Sequence, residues 1–245
     1  MTSARTRRRL VATAAGLTAV GLALTACSSD NGTDDAATNG GGAGGGSLTI
    51  GTTDKVTTLD PAGSYDNGSF AIMNQVFPFL LNTPYGSPDV EPDIAESAEF
   101  TSPSEYTVTL KPGLKWANGH DLTSSDVKFS FDRQVAIAAE NGPSSLLYNL
   151  DSVEAVDPTT VVFHLKSDND QVFPQILSSP VGPIVDEEVF AADAITPDDD
   201  IVKGNAFAGQ YVITSYDFNN LVTYEAYDGY QGILGAAKTP EVNVK

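Results

Sequence analysis

Cysteine is nearly absent from this chain: Cys27 is the only one in 245 residues. A single thiol forms no internal disulfide, so the fold must be held by a hydrophobic core rather than by staples. Histidine is almost as scarce. His120 follows Asn118-Gly119 in a turn signal, and His164 lies inside an alternating strand pattern. Neither has a second His or Cys at ligand spacing, so a zinc or nickel centre has no soft-ligand cluster to build on. No metal and no cofactor is therefore expected.

Basic residues are also few: 13 Lys and Arg stand against 32 Asp and Glu, a formal net charge of −19. Such a surface repels phosphate backbones and anionic headgroups, which excludes nucleic acid and direct lipid-headgroup binding. Two catalytic signatures are missing as well. There is no Gly-x-Ser-x-Gly nucleophile elbow, and no Gly-rich phosphate loop between a strand and a helix. Carboxylates are plentiful, so a general acid–base pair stays open on sequence grounds. The run Asp198-Asp199-Asp200 lacks the spacing of an EF-hand loop and reads as a solvated charge run.

What is present begins at the N-terminus. Arg5-Thr6-Arg7-Arg8-Arg9 precedes a 17-residue apolar run from Leu10 to Ala26, shorter than the roughly 20 residues a spanning helix needs. A basic segment, an apolar segment and small residues at its end predict a secretory signal peptide over residues 1–26. Leu24-Thr25-Ala26-Cys27 resembles the bacterial lipobox, which implies that Cys27 becomes the lipidated first residue of the mature chain. The lipid anchor would then be the only contact with the membrane, on its extracytoplasmic face. Removing residues 1–26 takes away four arginines and no acids, leaving a net charge of −23. Residues 27–46, ending in Gly40-Gly41-Gly42-Ala43-Gly44-Gly45-Gly46, carry no large apolar side chain. They predict a flexible leash with an r.m.s. reach of about 25 Å.

The remaining 199 residues, 47–245, have the composition of a folded region, with 41% of the whole chain hydrophobic. Ser47 to Thr52 alternates as a strand. Phe70, Met73, Val76, Phe77, Leu80 and Leu81 recur at three- and four-residue spacings, an amphipathic helix over 69–81 that Pro78 should end or kink. Tyr106 to Lys111 alternates as another strand. Thr123-Ser124-Ser125-Asp126 is a helix start in which Thr123 caps and Asp126 returns a bond. Val127, Phe131, Val135 and Ala138 are the expected buried stripe, and Asn141-Gly142-Pro143 the stop. Hairpins are expected over 151–166 and 209–227, and a strand over 240–245. Strands arranged around a few helices give a mixed α/β fold.

Six segments in order resemble the family 5 extracytoplasmic solute-binding proteins, which deliver oligopeptides, dipeptides or nickel complexes to ABC importers. They are Thr58-Leu59-Asp60-Pro61, Val90 to Ser97, Tyr106 to Trp116, Asn118 to Arg133, Ala208-Gly209-Gln210-Tyr211 and Tyr227 to Gly232. Ala208, Gln210 and Gln231 depart from the family pattern. The resemblance implies a periplasmic-binding-protein-like fold, type II, cluster C. Its first domain would comprise 47–60 and 196–245, with an inserted second domain at 61–195. It further implies non-catalytic capture of a peptide or related solute, with an ABC permease and ATPase as partners. By the same analogy Tyr65, Asn67 and Phe70 approach the ligand cleft, while Trp116 is expected in the core. Family members continue for about as many residues again, so this chain is expected to represent only the N-terminal half, an incomplete lobe and a weak binder by itself. Two other classes stay open: a secreted hydrolase using carboxylates, and an interaction lipoprotein without a small-molecule ligand.

Overall fold

The computed structural model describes residues 46–245; the expected signal peptide, Cys27 and nearly all of the leash lie outside the described residues. The elements run β1 (Ser47–Ile50), α1 (Asn67–Val76), β2 (Leu81–Asn82), β3 (Glu91–Pro92), β4 (Ala95–Ser102), β5 (Glu105–Leu110) and α2 (Ser124–Ile137). A short 3₁₀ turn (Ser144–Leu147) leads to β6 (Leu150–Asp157), β7 (Thr160–Leu165) and α3 (Phe173–Ile176). The chain then forms α4 (Asp198–Gly204), β8 (Tyr211–Asp217), β9 (Leu221–Ala226) and β10 (Glu241–Val244).

Two four-stranded sheets organise these elements, in the orders β1-β10-β9-β8 and β4-β5-β7-β6, with β2 and β3 paired beside them. In the first sheet β10 runs parallel to β1 and antiparallel to β9. The second sheet is antiparallel throughout. The expected hairpins at 151–166 and 209–227 form as β6–β7 and β8–β9. In the first, Asp157 Oδ1 accepts from the amides of Thr159 and Thr160 at 2.8 and 2.9 Å, which closes the turn.

Each sheet carries its own apolar cluster. The alternation of β5 and β7 puts Tyr106, Val108, Leu110, Val161, Phe163 and Leu165 on one face, where α2 packs with Phe131 edge-on to Phe163 at 5.0 Å. Burying side chains of this size stabilises the fold by about 1.5–3 kcal/mol each. Trp116 joins this core, as expected. The first sheet's cluster gathers Leu59, Ile72, Met73, Val76 and Phe77 from the loop and α1 with Val185, Phe190, Phe207, Ile213 and Tyr224. The chain leaves this cluster after Phe77 and returns at Val185. The two crossings lie side by side, with Phe79 bridged to Pro183 and the Ile184 amide donating to the Pro78 carbonyl at 3.0 Å. Helix α1 buries its apolar stripe, Ile72, Met73 and Val76, in the first sheet's cluster.

Some local expectations need correction. α1 ends at Val76 rather than at residue 81, because Phe77 turns extended (φ −98°, ψ 146°) ahead of Pro78. This puts Leu80 and Leu81 beyond the helix and in the second cluster. Val135 is 54% exposed. The buried side of α2 runs through Val127 and Phe131 as expected, but also through Ser124, Asp126, Ser130, Arg133 and Gln134, five polar residues that a stripe read only by its apolar members leaves out. Helix α2 stops earlier than the Asn-Gly-Pro signal, with Ala138 in the left-handed region at φ 43°.

Candidate ligand-binding site

Asp60 begins the region of interest. Its carboxylate is fully buried and takes two parallel bonds from the Arg133 guanidinium of α2, both at 2.8 Å. The same two oxygens accept the amides of Ala62, at 2.9 Å, and Thr196, at 2.7 Å. Arg133 gives two further donors to the carbonyls of Ala191 and Ala194 and lies 5.4 Å from the Phe190 ring. A buried charge pair is tolerable only when both members are saturated in this way.

From Asp60 the loop Pro61–Asp66 runs to the start of α1. Asp66 caps that helix: Oδ1 accepts from the Ser69 amide at 2.8 Å and Oδ2 from the Ser69 hydroxyl at 2.9 Å. The Ser69 hydroxyl in turn accepts the Thr57 amide at 2.9 Å. The loop is therefore pinned at both ends. Between the pins, Tyr65 is 54% exposed and Asn67 is exposed. Phe70 differs: its ring stacks edge-on against Phe79 at 6.3 Å, so it packs on the chain crossing. Tyr65 and Asn67 are each exposed, whereas Phe70 is half-buried against Phe79.

Beside Tyr65 is a cavity of about 340 Å³ lined by Thr57, Tyr65, Asp66, Glu140, Asn141 and Gly142. One wall is the loop and the other is the turn that follows α2. The two walls touch: a side chain at Gly142 would bring its Cβ to 2.2 Å from the Ala62 carbonyl oxygen. The lining is polar, with an exposed carboxylate at Glu140, an amide at Asn141 and an aromatic face at Tyr65. Such groups can stack on and hydrogen-bond a polar solute without chemistry. Glu140, Asn141 and Arg133 had no site role in the sequence reading, since their place depends on α2 docking against the loop. The one available signal for Arg133 was a guanidinium on a helix whose neighbouring positions face the core.

A larger cavity, about 380 Å³, lies elsewhere, between α1 and the β1–β10 edge. Leu48, Ile50, Ile72, Val242 and Val244 dominate its walls. Thr52, Asp54, Gln75, Tyr211, Tyr224 and Thr239 also line it; the smaller cavity is the candidate here because Tyr65 and Asp66 of the loop line it.

Several acidic and histidine side chains outside this region are engaged structurally. Asp198 is not a solvated charge: it accepts from the Thr58 hydroxyl at 2.7 Å, the Leu59 amide at 2.8 Å and the Tyr216 hydroxyl at 2.8 Å. His120 Nδ1 meets Asp186 Oδ2 at 2.8 Å, and that bond raises the imidazole pKa. Burial pushes the Asp126 carboxyl up to about 6 against the backbone bonds it accepts from Thr123 and Glu187. Among the described residues no group of three or more His, Cys, Asp or Glu is arranged to hold a metal ion. No helix among them is long and apolar enough to cross a membrane.

With this geometry in place, the comparisons with known proteins are informative. The family described as bacterial extracellular solute-binding proteins, family 5 Middle, matches residues 89–245. The chain belongs to this family. The probable D,D-dipeptide-binding periplasmic protein of Escherichia coli K12 is 33% identical over 123 residues, which cover 48% of this chain and 23% of that protein. The dipeptide-binding protein of the same organism is 24% identical over 208 residues, covering 74% of this chain and 38% of its relative. Among solved structures, the oligopeptide-binding protein AppA of Bacillus subtilis, in complex with a nonapeptide, superposes with a TM-score of 0.67 at 24% identity. That match covers 82% of this chain and 40% of AppA. The expected periplasmic-binding-protein-like fold is thereby established for this family 5 chain, which spans well under half the length of these relatives. The family's named members are binding proteins, and the family description places them outside the cell.

Proposed function

We propose that this chain captures short peptides outside the membrane, without turning them over, for delivery to an ABC permease and its ATPase. The observation that carries this reading is the loop Pro61–Asp66: it is pinned at both ends and presents Tyr65 and Asp66 at a polar cavity, with Asn67 exposed at the start of α1 beside it. Peptide relatives in the same family supply the ligand class. Backbone amides and carbonyls, an aromatic face and a carboxylate suit a zwitterionic peptide, whose groups demand hydrogen bonds rather than an apolar slot. Phe70 supports the loop from behind.

The N-terminal reading completes the picture: export directed by residues 1–26, lipidation of Cys27, and the Gly-rich leash holding the folded region above the membrane. Two acyl chains anchor stably where one chain gives only reversible binding. Within the folded region, the first sheet and α1 form one lobe and the second sheet with α2 the other.

Calorimetry with trialanine tests the function. Heat of binding that is lost in Tyr65→Ala, with no hydrolysis of a peptide or glycoside panel, is the expected result. Turnover of any panel member would revive the carboxylate-hydrolase class. Heat with free nickel and none with peptide would overturn the ligand assignment.

A further inference from the structure

We infer that Arg133 is a positioning residue for ligand capture, acting through Asp60 on the loop that carries Tyr65 and Asn67. The inference rests on the reading of that loop as the ligand contact. Arg133 belongs to α2, whose Val127 and Phe131 are in the second sheet's cluster while Phe129 packs on the first, and Leu59, next to Asp60, is a member of the first. The guanidinium fork joins α2 directly to Asp60 at the start of the loop. Its two bonds to Asp60, both 2.8 Å, fix the carboxylate plane. That plane in turn places the acceptor for the Ala62 amide at 2.9 Å, the first turn of the loop.

The pair also gathers backbone partners from a third segment. The same guanidinium holds the carbonyls of Ala191 and Ala194, and the same carboxylate holds the Thr196 amide. Three separate segments, the loop, α2 and residues 191–196, thus share one buried node. Downstream on α2, the turn at Gly142 rests against Ala62 with no room for a side chain. A shift of α2 is therefore passed to the loop at two points, before and within it. Lysine cannot substitute, because a point charge makes no parallel pair of bonds and does not set the carboxylate plane. A loop preorganised in this way loses less freedom when a peptide docks.

The test uses the purified 245-residue chain and compares Arg133→Lys with Tyr65→Ala. In Arg133→Lys, hydrogen exchange at the amides of Ala62 to Asn67 should accelerate by about ten-fold or more, and trialanine affinity should weaken by about ten-fold. Amides of β5 and β7 should keep their wild-type rates. Unchanged exchange in the loop, or equal acceleration of loop and sheets, overturns the positioning role. Should Arg133→Lys fail to fold, Asp60→Asn keeps an acceptor for Ala62 and is read by the same exchange pattern. Tyr65→Ala separates the two claims, since it leaves the ion pair intact. If neither wild type nor Tyr65→Ala binds trialanine, the ligand reading fails, and with it the role in capture.

Discussion

Asp93 and Tyr230 lie 137 residues apart and are joined by a 2.6 Å hydrogen bond, the phenol donating to a carboxylate that is almost fully buried. The same carboxylate oxygen accepts the Ile233 amide at 2.8 Å, and Lys111 Nζ donates to the backbone carbonyls of both Asp93 and Gln231 at 2.6 Å. Residues 230–233 follow β9 of the first sheet, and Asp93 precedes β4 of the second. The pair is a clasp between the two halves of the fold. Burial raises the Asp93 carboxyl above its ordinary range, and the bond from Tyr230 opposes that rise.

Removing the phenol should loosen the clasp. Tyr230→Phe leaves Asp93 with fewer donors in a buried place, which costs about 1–3 kcal/mol. Urea denaturation is expected to show that loss, with faster amide exchange at Ile233. A midpoint equal to wild type would mean that the clasp contributes nothing.

Stability should rise as the solution is made mildly acidic. Asp126 has its pKa raised to about 6 by burial, against about 3.9 for an unfolded aspartate. Between those values the folded protein binds more protons than the unfolded chain, so stability is lost as pH rises through about 6. Asp93, raised by burial, and His120, raised by Asp186, act in the same sense. The melting temperature is therefore expected to be higher at about pH 5.5 than at about pH 7.5. Asp126→Asn should flatten part of that slope. A wild-type slope of opposite sign, or an unchanged slope in the variant, would contradict this assignment.

Gly142→Ala probes the contact between the two walls of the polar cavity. Its Cβ would stand 2.2 Å from the Ala62 carbonyl oxygen, so backbone must move at a cost of about 1–3 kcal/mol. Trialanine affinity should fall together with stability. Retained affinity would place the ligand away from this cavity.

Cys27→Ala should abolish lipid attachment, because the thiol is the acceptor of the proposed modification. Intact-mass analysis is expected to find two acyl chains on the wild-type membrane form and none on the variant. An unmodified wild-type cysteine would remove the lipoprotein from this account.

The most local features were the most legible. The Thr123-to-Asp126 spacing predicted a capping box, and it forms, with the Thr123 amide donating to Asp126 Oδ2 at 2.8 Å. The β6–β7 and β8–β9 hairpins follow from alternation and a turn between the strands. Strand β4 escaped notice because Ala95-Glu96-Ser97-Ala98-Glu99 offers small and charged residues where a pattern reader looks for β-branched ones. Tyr65 and Asn67 were reached by resemblance and stand at the surface. Phe70 came by the same route but turns inward, since its partner Phe79 is brought close only by the chain crossing.

By itself the sequence determined the elements whose causes lie within a few residues: caps, turns and alternating strands. It also determined the family, through ordered segments that need no contact information. Tertiary structure alone decided that Asp60 pairs with Arg133, 73 positions away, that Asp198 is a buried-side acceptor rather than a solvated charge, and that Glu140 and Gly142 wall a cavity with Tyr65. The physical reason is the range of the forces involved. Backbone propensity and capping act over one turn of chain, whereas desolvating a carboxylate demands partners from wherever the packed sheets and helices bring donors together.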